Sequence, residues 1–315
     1  MEQLISNLKK PQFYLKFSGY IITFVSFFFL SKILIQYDWS ILWKFNLKTL
    51  LFFFLVLPLF YGFFFCLMGY AWKIILEFTV SKPGSIPFPD ILYVYTKANI
   101  GKYLPGNVME FVIRNFLANK MNISHANIAF SSFLEIGISL FVAILIALAL
   151  NHQSLILTFL VFKERLWIFV ALLLILSVTS FLLLYKSEKI RSLFLQLFDK
   201  RSFKMILTTS IIYSLVFVNL TFTLLLIFTE LFDIPLGLSF SIQCVSAFVI
   251  SWIIGFVVPG APGGLGVKEA VLVILLTGIA DESIVITVAM IHRLISVLGD
   301  LVALGLSRFY LFSTR

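Results

Sequence analysis

The sequence predicts an all-α polytopic membrane protein with about six transmembrane helices and two re-entrant helical hairpins arranged as inverted-topology repeats. Composition is the first reason, since 61% of the 315 residues are hydrophobic, 12% are charged and the mean hydropathy is +1.05. A soluble domain is typically about 45–50% apolar and about 25% charged. This composition therefore excludes a soluble fold, a disordered chain and a disulfide scaffold.

Six apolar stretches have the ~20 residues that a helix needs to cross the hydrocarbon layer. They lie at about 17–36, 50–72, 126–150, 166–185, 206–229 and 284–307. The first stretch follows Lys9, Lys10 and Lys16 and is not succeeded by a small-residue cleavage site. We therefore interpret it as a retained span and not as a secretory signal.

Two further apolar regions, 91–118 and 239–280, are interrupted by proline and glycine. Broken backbone at membrane depth is tolerated only where it is buried in protein or lines a wet cavity, so we predict a re-entrant hairpin in each region. Segments 100–106 and 254–260 both begin with Ile-Gly and end with Pro-Gly. An odd number of predicted spans separates them, which indicates inverted repeats over about 15–150 and about 166–310, with a substrate site between the broken helices.

The distribution of basic residues predicts a multi-pass protein of the cell membrane with both termini in the cytoplasm. In this orientation 17 of the 24 Lys and Arg residues lie in cytoplasmic segments and five lie outside. Such an excess is the usual signature of the cytoplasmic face. Residues 187–204 alternate basic and apolar positions, which favours an interfacial helix on the cytoplasmic leaflet over a solvated loop.

The second interruption, 258–266, cannot continue a helix because it is rich in proline and glycine. A helix that restarts near Val267 would expose backbone N–H groups with Lys268 in its first turn, and this arrangement suits a phosphate or carboxylate. The alternative is a plain turn between two spans. The predicted substrate-binding residues here are Pro259, Gly260, Gly263, Gly264, Gly266, Lys268 and Glu269.

The first interruption offers a second set of candidates for contacting an anionic headgroup, namely Lys97, Lys102, Pro105, Gly106, Asn107, Glu110 and Arg114. Each has a structural alternative. Lys97 and Lys102 fit ordinary positive-inside charges, and Glu110 and Arg114 are spaced i,i+4, so that they can pair on one helix face.

Two ionisable residues lie deep inside predicted spans, Glu135 and Arg293. Charges at such depth are costly, face the protein interior and usually pair. The spacing between the repeats places Glu135 opposite position 289, one helical turn before Arg293, which predicts a pair across the pseudo-axis. Asp300, seven residues after Arg293, is the rival partner, and a purely structural ion pair is the alternative.

No cluster of His, Cys, Asp and Glu has metal-ligand spacing, and no nucleotide-binding or nucleophile motif occurs. Cys66 and Cys244 both lie in apolar runs and are interpreted as packing residues. We therefore expect no metal, no cofactor, no nucleic-acid partner and no catalytic residue.

Residues 102–106 (Lys-Tyr-Leu-Pro-Gly), Arg114, Glu135, the block 258–270 and Arg293 resemble the lysylphosphatidylglycerol synthase transmembrane (flippase-like) family. The resemblance covers about 15–310, and it departs from the family pattern at Asn107, where a second glycine is common. It implies a lipid flippase module that is elsewhere attached to a soluble aminoacyltransferase domain. We expect a stand-alone member, to which the synthase activity is not carried over.

Together these observations predict a lipid translocase for an anionic phospholipid or a polyprenyl-phosphate-linked lipid, with Glu135 and Glu269 balancing charge in the path. The alternatives are a membrane-embedded transferase that uses Glu135 or Glu269 as a general base, and a non-transporting partner in glycolipid assembly. The expected partners are the bilayer lipid, envelope-lipid biosynthetic enzymes and a second copy of the chain.

Overall fold

A computed structural model describes residues 45–80, 84, 86–103, 108–161, 188–257, 262–264 and 266–314, and within these ranges the regular secondary structure is helical, with turns between the helices and no strand. The helices are α1 (Leu47–Val80, with a π-helical turn at Phe52–Val56), α2 (Phe88–Asn99), α3 (Met109–Asn119), α4 (His125–Val161), α5 (Glu188–Gln196), α6 (Lys200–Phe232), α7 (Leu238–Val257), α8 (Val267–Leu276) and α9 (Glu282–Ser313). The predicted all-α class is confirmed.

Four predicted spans coincide with long apolar helices. The stretches 50–72, 126–150, 206–229 and 284–307 lie within α1, α4, α6 and α9. The predicted spans at 17–36 and 166–185 lie outside the described residues. A fifth helix, α7, is also long and apolar enough to cross a membrane, so the chain is a multi-pass membrane protein.

Both predicted interruptions are present. Helix α2 ends in a 3₁₀ turn at Ile100–Tyr103 before α3 begins, and α7 is separated from α8 by a 3₁₀ turn at Pro262–Gly264. The two interruptions differ in the length of the helix that precedes them, since α2 has 12 residues and α7 has 20. The two helices are thus unequal in length, and the re-entrant arrangement and the inverted topology of the repeats stay predictions.

The helix predicted over 187–204 is two helices, which corrects its extent. Helix α5 ends at Gln196, and the long helix α6 begins at Lys200. The Phe194 side chain of α5 packs edge-on against Phe130 of α4, with ring centroids 4.9 Å apart. An interfacial position for α5 stays a prediction.

Helix α1 packs against α9 and α6, and α7 packs against α4 and α8. A second, smaller core lies under α2 and α3, where Trp72 is fully buried and donates its indole N–H to the Ser131 hydroxyl at 3.1 Å. In lipid such contacts hold helices together by van der Waals packing and interhelical hydrogen bonds. Packing of this kind brings the two interruptions to the same place, beside α9.

Candidate functional site

The two interruptions contact each other. The turn at Ile100–Tyr103 touches the turn at Pro262–Gly264, and a β-carbon built on Gly263 would lie 3.4 Å from the Lys102 carbonyl oxygen. Helix α8 begins at Val267, where the sequence predicts it. Five residues predicted for these interruptions lie outside the described residues, namely Pro105, Gly106, Asn107, Pro259 and Gly260.

A cavity of about 200 Å³ opens between the interruptions and the helices α1, α4, α6, α7 and α9. Eight predicted site residues line it: Lys102, Glu110, Arg114, Glu135, Gly263, Lys268, Glu269 and Arg293. Gly264 lies beside Lys268 but does not line the cavity, and Gly266 is exposed. Lys97 lies outside it, with an exposed side chain whose ammonium is 3.3 Å from the Tyr93 hydroxyl.

Glu135 forms a buried ion pair with Arg114, so the predicted Glu135–Arg293 pair is wrong. The Tyr95 hydroxyl donates to the other carboxylate oxygen at 2.7 Å. The Arg114 guanidinium lies 4.3 Å from the Tyr95 ring centroid and 5.0 Å from that of Trp72. The pair arises because α3 packs on α4, and it fastens the segment after the first interruption to a span.

Asp300 forms the second buried ion pair, with Lys102 at 2.6 Å. Asp300 is 1% exposed, and its carboxylate also accepts hydrogen bonds from Asn99, at 3.0 Å, and from the Tyr103 hydroxyl. All three donors belong to α2 and the turn that follows it. Asp300 therefore binds the first interruption, and it is not the partner of Arg293.

Arg293 is bound to the second interruption. One terminal nitrogen, Nη1, donates to the Gly263 carbonyl at 3.1 Å, and the guanidinium lies 5.7 Å from the Tyr103 ring centroid. The other two nitrogens, Nε and Nη2, are buried and have no hydrogen-bond partner among the described residues. A buried, unpartnered donor costs about 1–3 kcal/mol, and more when it is charged, so these two nitrogens indicate a ligand or water.

The Lys268 side chain packs directly against Gly255 and Gly264 and lines the cavity. A β-carbon on Gly264, where φ is +73°, would lie 2.7 Å from Lys268 Cε, and one on Gly255 would collide with Lys268 Cγ. Within the described ranges the ammonium has no hydrogen bond or ion pair. Burial, together with the charges of Arg293 and Lys102, lowers the pKa of Lys268 to about 7.

Glu269 caps its own helix. Its carboxylate accepts a hydrogen bond from the Gly266 backbone N–H at 2.8 Å, so the first free donor of α8 is already used. The N-terminus of α8 is therefore less open to an anion than the sequence indicates, and the cationic side chains remain as the groups that can bind one.

Burial raises the pKa of Glu110, against the lowering effect of Arg114 and Lys102.

The cavity is not uniformly positive. Its cationic residues are Lys102, Arg114, Lys268 and Arg293, and its carboxylates are Glu110, Glu135 and Glu269, with Asp300 behind Lys102. Lys102 and Arg114 are already paired, with Asp300 and Glu135 respectively. The cations that remain for a ligand, Lys268 and Arg293, both lie at the second interruption.

The sequence analysis predicts the charged residues of this site better than its neutral polar ones. Asp300 was considered there only as a rival partner for Arg293, and Tyr213 and Asn219 of α6, which both line the cavity, are among the polar residues that it did not predict. An amide inside an apolar span is itself a signal, because polar groups at that depth are expensive. No feature of the sequence distinguishes Tyr213 from the other ten tyrosines.

A family model described as "Lysylphosphatidylglycerol synthase TM region" matches residues 17–303. The match includes both interruptions and every residue that lines the cavity. No curated protein and no solved structure matches the chain.

Proposed function

This chain belongs to the lysylphosphatidylglycerol synthase TM region family, and we propose that it is a lipid translocase for lipids with an anionic, phosphate-containing headgroup. The lipid is an anionic phospholipid or a polyprenyl-phosphate-linked lipid. The protein acts in the cell membrane with both termini in the cytoplasm. It carries the headgroup between leaflets without changing the lipid chemically.

The observation that carries this proposal is the unpaired edge of Arg293. Nε and Nη2 are buried beside the cavity without partners among the described residues, and Lys268 lines the same cavity. A phosphodiester presents two oxygens that match the parallel N–H groups of a guanidinium. Arg293 therefore supplies a bidentate contact and Lys268 a second positive charge.

A translocase needs such a cavity because a charged group is very costly to move through hydrocarbon. An unpaired ion loses its hydration there, so the headgroup requires counter-charges and polar partners along its path. The acyl or prenyl tails stay in the bilayer. The buried pairs Arg114–Glu135 and Lys102–Asp300 hold the walls of the path, while Arg293 and Lys268 bind the headgroup.

The test is translocation by the purified protein in liposomes that contain fluorescent phosphatidylglycerol. A membrane-impermeant reductant bleaches only the outer leaflet of protein-free vesicles. We expect it to bleach nearly all of the probe when the wild-type protein is present. Arg293→Gln should slow the exchange about tenfold or more, because charge-assisted hydrogen bonds contribute about 1.5–3 kcal/mol.

The matched control is Arg308→Gln, which removes an exposed arginine from the same helix, α9. It should exchange lipid at the wild-type rate. If the wild-type protein does not exchange the probe, the proposal is wrong. A chemically altered lipid would instead indicate the transferase, and unaltered lipid without exchange would indicate a non-transporting partner.

A further inference from the structure

A groove between α8 and α9 adjoins the cavity. The two share one lining residue, Glu269. On α8 the preceding residue, Lys268, lines the cavity, and the residues that line the groove are Ala270, Val273 and Ile274. Helix α8 therefore separates the cavity from the groove, with Glu269 at their junction.

On α9 the groove begins close to Arg293. Glu282, Ile286 and Met290 line it at intervals of four residues, which places them along one face of the helix. Met290 precedes Arg293 by three residues, so the groove starts about one turn from the guanidinium. It extends from there about 12 Å along α9 to Glu282. A phosphate bound to Arg293 therefore lies near one end of the groove.

Between its two glutamates the groove is lined by apolar side chains. Ile274 is 51% exposed and Ile286 is 37% exposed, whereas Met290 is buried. A methionine side chain is flexible and adapts to irregular apolar partners. The carboxylates of Glu269 and Glu282 disfavour an anionic headgroup in the groove. The groove therefore suits a hydrocarbon chain, and the cavity suits the phosphate.

The junction between the cavity and the groove has room for a chain. Gly266 and Ala270, one helical turn apart, are both exposed, and a β-carbon built on Gly266 would meet no atom within 4 Å. The Glu269 carboxylate reaches back to the Gly266 backbone N–H. Its side chain is thereby held against the start of α8.

Two other walls of the cavity are held by polar contacts that a hydrocarbon chain cannot replace. The His292 ring of α9 donates to the Leu220 carbonyl of α6 at 3.1 Å, and Arg114 of α3 pairs with Glu135 of α4. Helix α8, in contrast, packs on α9 beside a largely apolar groove. Lipid tails are as apolar as its side chains, so contacts of this kind in a bilayer are exchanged for lipid at little cost.

We propose that the groove between α8 and α9 binds a hydrocarbon chain of the lipid whose headgroup occupies the cavity, so that the lipid extends from one to the other past Glu269. This inference rests on the proposed function and adds a chain-binding site to it. The phosphate binds Arg293 and Lys268, and an acyl or prenyl chain lies in the groove. The exposed side of the groove leaves this chain in contact with the bilayer.

The first test maps photo-crosslinks to the wild-type protein in liposomes. The probes are phosphatidylglycerol and phosphatidylcholine, each with a diazirine in one acyl chain. We expect the phosphatidylglycerol probe to label Ile274 and Ile286 at least tenfold more than the phosphatidylcholine probe does. Both probes should label Leu145 and Leu148, which are exposed on the apolar helix α4, to the same extent. Arg293→Gln should abolish only the difference in the groove.

Equal labelling of the groove by the two probes would mean that it holds surrounding bilayer lipid only, and would overturn the proposal. If the wild-type protein exchanges phosphatidylglycerol and the groove is not labelled, the chain site is wrong and the proposed function stands. If the protein neither exchanges the lipid nor shows labelling of the groove, both are wrong. The comparison of the two probes needs no variant, so it holds even if Arg293→Gln does not fold.

The second test fills the groove next to the junction. Ala270→Trp should slow phosphatidylglycerol exchange about tenfold or more, because an added ring occupies the space of the chain. It should leave the calorimetric affinity for glycerophosphoglycerol, the same headgroup without chains, unchanged, and this binding also reports that the variant is folded. Leu301→Trp, at a 54% exposed position of α9 outside the groove, is the matched control and should exchange lipid at the wild-type rate. Exchange at the wild-type rate in Ala270→Trp would overturn the chain site.

Discussion

Arg293 and Asp300 lie seven residues apart on helix α9, and each binds a different interruption. Arg293 donates to the Gly263 carbonyl at 3.1 Å, and Asp300 pairs with Lys102 at 2.6 Å. One rigid span therefore fixes both broken segments around the cavity. The two residues differ in what remains unpaired, since Asp300 is fully engaged, whereas two nitrogens of Arg293 have no hydrogen-bond partner in the described part of the chain.

Replacing Asp300 should separate the structural role of this pair from ligand binding. Asp300→Asn leaves the Lys102 ammonium without its counter-charge, and we expect the free energy of unfolding to fall by about 2–4 kcal/mol. The cavity gains one positive charge, so the affinity for phosphatidylglycerol should rise severalfold. Calorimetric titration and thermal unfolding in detergent measure the two effects. The double variant Lys102→Met with Asp300→Asn should reverse both, and no change in either quantity would contradict this role.

The Arg114–Glu135 pair should behave as a buried ion pair that depends on both partners. Glu135→Leu leaves the buried guanidinium uncompensated and should cost about 3–5 kcal/mol in the free energy of unfolding. The double variant Arg114→Met with Glu135→Leu should recover most of this loss. Asp199→Asn is the control, because Asp199 and Arg201 form an exposed pair 3.8 Å apart, which is worth about 0–1 kcal/mol. A single variant as stable as wild type would argue against the pair.

How far the sequence predicts this structure depends on the kind of feature. Hydropathy places four of the five described spans, with α7 as the exception because it is assigned to a re-entrant hairpin, and proline and glycine place the interruptions and the start of α8 at Val267. The partner of a buried charge does not follow from such local patterns, because it depends on which helices pack together. The Glu135–Arg114 pair follows from the packing of α3 on α4, which the repeat spacing does not contain.

The cap at the start of α8 was accessible from local sequence alone. Glu269 stands three residues after Gly266, which is the spacing of a helix N-cap and the N3 residue that binds its backbone N–H. The structure has this hydrogen bond at 2.8 Å. The Tyr213 hydroxyl, in contrast, is buried without a hydrogen-bond partner among the described residues. This environment depends on the shape of a cavity built by several helices, and no local pattern encodes it.

A methyl group at Gly255 should disturb ligand binding through Lys268. Gly255→Ala places its β-carbon against Lys268 Cγ, so the lysine must move away from its present path. We expect the affinity for phosphatidylglycerol to fall about fivefold or more without loss of any charge. Gly137→Ala is the matched control, since a β-carbon there meets no atom within 4 Å. Equal affinities of the two variants would show that the position of Lys268 is unimportant.

Binding of an anionic lipid should weaken as the pH rises through 7. Burial and neighbouring cations lower the pKa of Lys268 to about 7, and an oxyanion binds its protonated form. Above this pH, binding requires uptake of a proton, so the affinity for phosphatidylglycerol should fall about tenfold between pH 6.5 and 8.5. Lys268→Arg keeps its charge at both values and should flatten the profile. A wild-type affinity that is constant across this range would be inconsistent with a role for Lys268.

The central claim is that Arg293 and Lys268 bind the phosphate of a lipid headgroup in the cavity between the two interruptions. Its most direct measurement is calorimetric titration of short-chain phosphatidylglycerol into the wild-type protein and into the double variant Lys268→Gln with Arg293→Gln. We predict saturable binding to the wild type, unchanged by Arg308→Gln, and an affinity about 100-fold lower in the double variant. A folded double variant that binds the lipid as tightly as the wild type would contradict the claim.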